Sequence, residues 1–189
     1  MRAALSIPSL ISVSRAALTP VIAAAILRDD HGTALLVFLA AAVTDVIDGW
    51  VARRFRLETR VGAYLDPVTD KILLSTIYVC LGLSGAAPMW FVVLVFARDI
   101  VILLMAGYGL LFTRLRSFSP SRWGKLSTFG QLSTGVAIML AHATGAGWIH
   151  TASGWMTMGA AAMTGWSGAH YLWTGWRMLR ASATGGAIQ

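Results

Sequence analysis

The sequence has few charged residues and several long apolar runs. Charged side chains make up 12% of its 189 residues, whereas a soluble domain usually carries about 25%. Apolar runs such as "MWFVVLVFARDIVILLMAGYGLLF" approach the ~20 residues that a membrane-spanning helix needs. A soluble chain of this size could not bury so much apolar surface. The composition therefore predicts an all-α integral membrane protein.

Cysteine is almost absent, which limits the metal chemistry open to the chain. The single cysteine, Cys80, lies within an apolar run, so there is no disulfide framework and no thiolate metal site. We expect Cys80 to serve packing. The histidines show no ligand spacing among themselves, which argues against zinc. They are His31, His142, His150 and His170.

Turn-forming stretches divide the chain into six predicted helices within a single domain, residues 1–189. The breakers are "RDDHG", "SGAAP", "SFSPS" and "TGAG". A short N-terminal interfacial segment is expected within "IPSLISVSRAALTP", residues 7–20, and the chain has no internal repeat. We predict transmembrane helices at about 8–27, 33–54, 62–84, 88–113, 125–145 and 150–176.

The distribution of lysine and arginine predicts how the chain lies in a membrane. Nearly all of them fall in the loops after the second and fourth helices or near the two ends, and on the other side only Arg28 appears, beside Asp29 and Asp30. The positive-inside rule then places both termini and both basic loops in the cytoplasm. We expect the inner membrane of a bacterium. The net charge of +7 suits anionic lipid headgroups and phosphate-bearing substrates, and requires no nucleic acid.

The stretch "DVIDGWVARRFRLETRVGAYLDPVTD", residues 45–70, contains four aspartates in a sequence with only eight acidic residues. On a helix, positions 45, 48, 49 and 52 share one face, and positions 62, 66 and 70 share another. Because the second and third helices meet at the cytoplasmic loop, an antiparallel hairpin would bring the four carboxylates together there. These four are Asp45, Asp48, Asp66 and Asp70.

Four carboxylates at close range resist ionising together, and hard divalent cations resolve that conflict. Mg²⁺ and Mn²⁺ prefer carboxylate oxygens, and two such ions are a common clamp for phosphoryl oxygens. Arg53 would offer a fixed fork to a phosphate oxygen, and the small residues Gly49, Ala52 and Gly62 would leave room for a ligand. The alternative is a set of helix-end aspartates paired with neighbouring arginines.

The pattern D-x-x-D-G-x-x-A-R, eight residues, then G-x-x-x-D-x-x-x-D resembles the signature of the CDP-alcohol phosphotransferase family at every defined position. The resemblance implies a six-helix membrane enzyme, usually a homodimer. Such an enzyme transfers a phosphatidyl or other phosphoalcohol group from a CDP-linked donor to an acceptor hydroxyl and releases CMP.

The same resemblance implies roles for the motif residues. Asp45, Asp48 and Asp66 would hold two divalent cations, Mg²⁺ or Mn²⁺, and contribute to donor binding. Asp70 would be the fourth residue of the metal site and would also act as general base. The residues expected to line the cytidine and diphosphate pocket are Gly49, Ala52, Arg53 and Gly62.

Basic residues outside the motif are candidates for phosphate binding. "SPSRWGKLSTFGQ", residues 119–131, resembles the segment that opens the family's fifth helix. This implies that Lys125, close to Arg116, binds the acceptor or donor phosphate. The alternative for both is general positive-inside charge.

Two further arginines each have two possible roles. Arg98, followed by Asp99 in the fourth helix, would contact the acceptor's phosphate by resemblance. Alternatively the two residues form a buried pair that holds helices together. Arg15, in the N-terminal segment, would face lipid or donor phosphate, or be a snorkelling anchor.

The acceptor is the part of the reaction that the sequence constrains least. Relatives use inositol phosphate, serine, glycerol 3-phosphate or phosphatidylglycerol. The short chain and the Gly-Lys segment resemble the branch that makes phosphatidylglycerophosphate or cardiolipin from CDP-diacylglycerol. We place glycerol 3-phosphate first and phosphatidylglycerol as the alternative. Phosphatidylglycerol is favoured by one difference from the family pattern. The stretch "IVILLMAGYG" after Asp99 lacks the second arginine that is frequent in enzymes using glycerol 3-phosphate.

Two alternative functions do not involve transferase activity. A divalent-cation transporter would explain carboxylates within apolar helices, but transporters often contain an internal repeat and bind near the membrane midplane. A catalytically silent scaffold would be expected to lack some of the aspartates. The sequence therefore favours an enzyme.

Overall fold

The computed structural model describes residues 7–54, 60–112 and 122–183, and within these ranges it contains six helices and no strand. The predicted all-α class is therefore confirmed. The helices are α1 (Ile7–Leu27), α2 (His31–Arg54), α3 (Arg60–Leu83), α4 (Met89–Phe112), α5 (Arg122–Thr144) and α6 (Gly147–Ala183).

The predicted helix ends agree with the structure to within three residues, except at the end of α6. That helix continues to Ala183, seven residues beyond the predicted end. The prediction ended the helix where the apolar run stops at Arg177. The following residues, "RMLRASA", include no glycine or proline, so the helix continues past the apolar part.

Local hydrogen bonds define the turn between α1 and α2. Asp29 adopts a left-handed backbone conformation, with φ of 58°, which ends α1. Asp30 is the N-cap of α2, because its Oδ1 accepts a hydrogen bond from the backbone N–H of Thr33 at 3.0 Å. That bond lowers the pKa of Asp30 below its usual value. The cap explains why α2 begins at His31 rather than at the predicted residue 33.

α1 runs from Ile7 to Leu27 as one helix. The segment predicted to lie at the membrane interface, residues 7–20, is thus continuous with the rest of α1. In the described part of the chain, no helix combines the length and apolar character needed to cross a bilayer. The six helices of the prediction are confirmed, and their crossing of a membrane stays a prediction.

The first of two compact units comprises the described residues up to position 89, together with residues 135–151. In it, α1 packs against both α2 and α3. Gly135 of α5 approaches α3 closely, since a Cβ added there would lie 3.8 Å from the hydroxyl oxygen of Tyr78. The core of this unit is apolar, and among its most deeply buried side chains are Ile22, Ile26, Ile77, Tyr78, Leu81 and Met139.

The second unit comprises the described residues between positions 90 and 134 and those from 152 to 183, and its interior is more polar. Gly130 on α5 lies close to α6, because an added Cβ would be 3.6 Å from the sulfur of Met163 and 4.0 Å from Cβ of Ala160. The buried polar side chains of this unit come from α4, α5 and α6. They are Arg98, Asp99, Ser127, Gln131, Thr134, Ser153, Thr157, Thr164 and Ser167.

Large apolar side chains are exposed on all six helices. The exposed fraction reaches 70% at Leu36, 67% at Phe129 and 76% at Trp148. Single exposed apolar residues are normal on a soluble protein, but extended apolar surface marks a face that meets lipid or another protein. The described surface therefore has the character expected of an interaction face on every helix.

Candidate active site

Both halves of the aspartate motif lie on helices. Positions 45–53 occupy the last turns of α2, and positions 62–70 occupy the first turns of α3. The helical backbone therefore gives each half the spacing on one face that the sequence predicts. The segment that joins the halves, residues 55–59, lies outside the described residues.

Asp70 is the one residue of this motif whose side chain the structure describes. It is exposed on α3 and makes at least one polar or electrostatic interaction. For the other motif residues the backbone alone is described, and their predicted roles stay predictions. They are Asp45, Asp48, Gly49, Ala52, Arg53, Gly62 and Asp66.

A metal site was predicted on these aspartates. Among the described side chains, no three histidines, cysteines or carboxylates form a group that could hold a metal ion. Asp45, Asp48 and Asp66 are not among those side chains. The predicted ligands are carboxylates alone, and such oxygen donors fit Mg²⁺ or Mn²⁺.

Arg98 is almost completely buried on α4, with 5% of its surface exposed. Its Nη1 donates to Oδ1 of Asp99 at 2.9 Å. Its Nη2 donates to the carbonyl oxygen of Gly124 at 3.2 Å and to Oγ of Ser167 at 3.4 Å. The structure thus contains the buried Arg–Asp pair that was the alternative interpretation. One guanidinium connects α4 with the first turn of α5 and with α6.

The remaining predicted phosphate-binding residues are described to different degrees. Lys125 is exposed in the first turn of α5, directly after the buried Gly124. Arg15 lies on α1, but its side chain is outside the described part of the chain, and Arg116 lies outside the described residues altogether. Lys125 is therefore a described, exposed cation next to the Arg98 hydrogen bonds.

Sequence reasoning missed a buried polar contact between α5 and α6. Thr164 Oγ1 accepts a hydrogen bond from Nε2 of Gln131 at 3.0 Å, and lies 3.2 Å from the hydroxyl of Ser127. Thr134 Oγ1 donates to the carbonyl oxygens of Gly130 and Met156. Positions 127, 131 and 134 are spaced by four and three, so a search for polar residues at helical period would have found this stripe.

A second missed feature is a histidine cluster in the first unit. The ring centroids of His31 and His142 are 4.9 Å apart, and those of His142 and His150 are 4.8 Å apart. His31 is buried, whereas the other two are exposed. Because His31 and His142 are far apart in the chain, no local spacing could have indicated that they meet.

The environment of His31 predicts a loss of stability at acid pH. Burial lowers the pKa of His31 below its usual value of 6.5, and His142 lowers it further, while Asp29 and Asp30 oppose both effects. The unfolded chain therefore takes up the proton at a higher pH than the folded chain. The stabilisation is fully present above about pH 6.5 and is lost as the pH falls through the folded pKa.

Thermal unfolding between pH 8 and pH 5 would measure this effect. We expect the unfolding midpoint to fall on acidification, and His31→Phe, which keeps a ring without a titrating group, to reduce the fall. An equal fall in wild type and His31→Phe would show that other groups cause it.

Comparison with known proteins gives matches to one family that cover most of the chain. The family model for CDP-alcohol phosphatidyltransferase matches residues 5–166. A putative cardiolipin synthase of Mycobacterium tuberculosis H37Rv is 35% identical over 175 residues, covering 89% of this chain and 78% of the relative. A CMP-forming cardiolipin synthase of Streptomyces coelicolor is 30% identical over 183 residues, covering 90% of this chain and 80% of the relative.

The similarity extends to animal enzymes over a shorter region. The human CMP-forming cardiolipin synthase is 35% identical over 104 residues, which is 54% of this chain and 35% of the human protein. The family model covers the whole aspartate motif, together with Arg98 and Lys125.

Proposed function

Because the chain belongs to the CDP-alcohol phosphatidyltransferase family, we propose that it is a CMP-forming cardiolipin synthase. It transfers the phosphatidyl group of CDP-diacylglycerol to a hydroxyl of phosphatidylglycerol. The observation that carries the proposal is the match over about nine-tenths of the chain to bacterial relatives named as putative or CMP-forming cardiolipin synthases. Family membership also favours a transferase over the divalent-cation transporter.

The surroundings of Arg98 support the acceptor part of the proposal. The sequence placed glycerol 3-phosphate first, and that acceptor carries a phosphomonoester. A phosphomonoester has up to two negative charges, whereas the phosphodiester of phosphatidylglycerol has one. Since Arg98 is buried and paired with Asp99, its charge is already offset inside the protein. Arg98 is then not available to neutralise a charge on the acceptor. This suits phosphatidylglycerol, which carries less negative charge than glycerol 3-phosphate.

The proposed reaction is a single displacement at phosphorus. The acceptor hydroxyl oxygen attacks the phosphorus that carries diacylglycerol, and a new P–O bond forms. The P–O bond to CMP breaks, CMP leaves, and the hydroxyl proton passes to the Asp70 carboxylate. Asp45, Asp48 and Asp66 would hold the divalent cations together with Asp70. When bound, these cations offset negative charge on the phosphoryl oxygens and the leaving group.

We place this reaction at the cytoplasmic face of a bacterial inner membrane, in an integral membrane homodimer. Both substrates are lipids that reside in the bilayer. The exposed apolar side chains on all six helices and the basic loops at one predicted face support this placement. Gly49, Ala52, Arg53 and Gly62 would line the pocket for the cytidine and diphosphate of the donor.

The proposal is tested by CMP release from CDP-diacylglycerol in detergent micelles with Mg²⁺ or Mn²⁺, offering one acceptor at a time. We expect CMP only when phosphatidylglycerol is present, with cardiolipin as the second product. CMP release with glycerol 3-phosphate alone would instead establish phosphatidylglycerophosphate synthesis. Chelation of the divalent cation should stop release with either acceptor, and re-addition should restore it.

A further inference from the structure

Arg98 holds the backbone beside Lys125. The guanidinium is buried, and its Nη2 donates to the carbonyl oxygen of Gly124, the residue that immediately precedes Lys125. Gly124 lies in the first turn of α5. The same carbonyl also accepts a hydrogen bond from Oγ1 of Thr128 at 3.1 Å. The position of this peptide group is therefore fixed from outside the helix as well as from within it.

The other contacts of Arg98 fix the guanidinium itself. Its Nη1 is bonded to Asp99 on the same helix, and Ser167 on α6 accepts from Nη2. A planar guanidinium presents its donors in a fixed fork, so these partners determine the direction in which Nη2 points. Lysine could keep the ion pair with Asp99, but its single ammonium could not reproduce the same fork towards Gly124 and Ser167.

The electrostatics separate the roles of Arg98 and Lys125. The charge of Arg98 is offset by Asp99 within the interior, whereas Lys125 is exposed. A desolvated, compensated guanidinium is poorly suited to meet an incoming lipid phosphate, because both Nη atoms already have partners and the phosphate would itself have to be buried to reach it. An exposed lysine at the end of a fixed turn can meet the phosphate without that cost.

We propose that Arg98 is a positioning residue for acceptor binding. It fixes the Gly124 carbonyl and thereby the direction in which the Lys125 side chain projects from α5. This inference rests on the proposed function, in which Lys125 contacts the acceptor phosphate. It assigns Arg98 no direct contact with the acceptor. Its effect should therefore disappear when Lys125 is removed.

A double-mutant cycle tests this dependence in the full-length protein. We expect Arg98→Lys to raise KM for phosphatidylglycerol about tenfold, the size of one charge-assisted hydrogen bond, with little change in kcat or in KM for CDP-diacylglycerol. Lys125→Gln should raise KM by a similar factor, and the double variant should match Lys125→Gln alone. If instead the two increases in KM multiplied in the double variant, Arg98 would act independently of Lys125, and the proposal would be overturned.

Thr134→Val is the matched control for loosening of α5. Thr134 is also buried and hydrogen-bonded between α5 and α6, but it lies well away from Gly124 in the helix. We expect this variant to leave KM for phosphatidylglycerol unchanged. A rise equal to that of Arg98→Lys would mean that any weakening of α5 packing has the same effect, and would also overturn the proposal.

A spin label gives a second readout that does not depend on turnover. The one native cysteine, Cys80, is buried, so Lys125→Cys supplies an accessible thiol for labelling. We expect the motion of a label on Lys125→Cys to be restricted when this is the only substitution and when Thr134→Val is added. The label should be more mobile when Arg98→Lys is added. Unchanged mobility would refute positioning by Arg98. If the enzyme released no CMP with any acceptor, the proposed function would fail, while the label would still decide the positioning role.

Discussion

Asp70→Asn is expected to reduce CMP release by at least about a hundredfold, because general-base catalysis typically contributes 10²- to 10⁴-fold to a rate. The amide has almost the shape of the carboxylate but cannot accept the proton of the attacking hydroxyl. Asp70 is exposed on α3, so the substitution should cost little folding stability. Binding of CDP-diacylglycerol should be largely retained, since Asp45, Asp48 and Asp66 remain.

This prediction is checked by initial rates of CMP release and by equilibrium binding of labelled CDP-diacylglycerol, both on purified protein. Asp29→Asn is the matched control, because it makes the same chemical change at an exposed aspartate outside the motif. It should leave both quantities unchanged. Turnover by Asp70→Asn within a few-fold of wild type would contradict the general-base role.

Asp99→Leu is expected to destabilise the fold by about 3–5 kcal/mol, the usual cost of removing one partner from a buried ion pair. The substitution would leave the buried guanidinium of Arg98 without its carboxylate, whose Oδ1 lies 2.9 Å from Nη1. The double substitution Arg98→Met with Asp99→Leu replaces both charges by apolar groups. It should recover most of the lost stability, because no buried charge remains uncompensated.

Unfolding by denaturant in detergent micelles measures both variants. Equal stability of wild type and Asp99→Leu would show that water or lipid headgroups reach Arg98, contrary to its burial. The double variant also bears on acceptor binding. Although it is folded, this variant lacks the hydrogen bond from Arg98 to Gly124. It should therefore bind phosphatidylglycerol less tightly than the wild type does.

Helix positions could be predicted because they depend on local sequence. Apolar runs and breakers such as "RDDHG" and "TGAG" define α1 to α6 to within a few residues. Two of the differences have local explanations as well. The Asp30 cap starts α2 two residues early, and α6 passes Arg177 because a charged residue ends an apolar run without ending a helix.

Contacts between distant residues could not be predicted in the same way. Neighbouring positions on a helix do not normally face each other, so the order Arg98-Asp99 gave no reason to favour an ion pair over substrate contact. Pairing depends on burial of both side chains, and burial depends on α5 and α6 packing against α4. The histidine cluster of His31, His142 and His150 likewise exists only because three separate helices bring the rings together.

The amino-acid sequence by itself determined the helices, the family and the spacing of the aspartate motif, because helical periodicity and motif spacing are properties of neighbouring residues. Only the tertiary structure decided that Arg98 is buried, compensated by Asp99 and bonded to Gly124. The physical reason is that the environment of a charge depends on every element packed around it. Local sequence can specify an arginine, but packing specifies whether that arginine meets solvent, substrate or a backbone carbonyl.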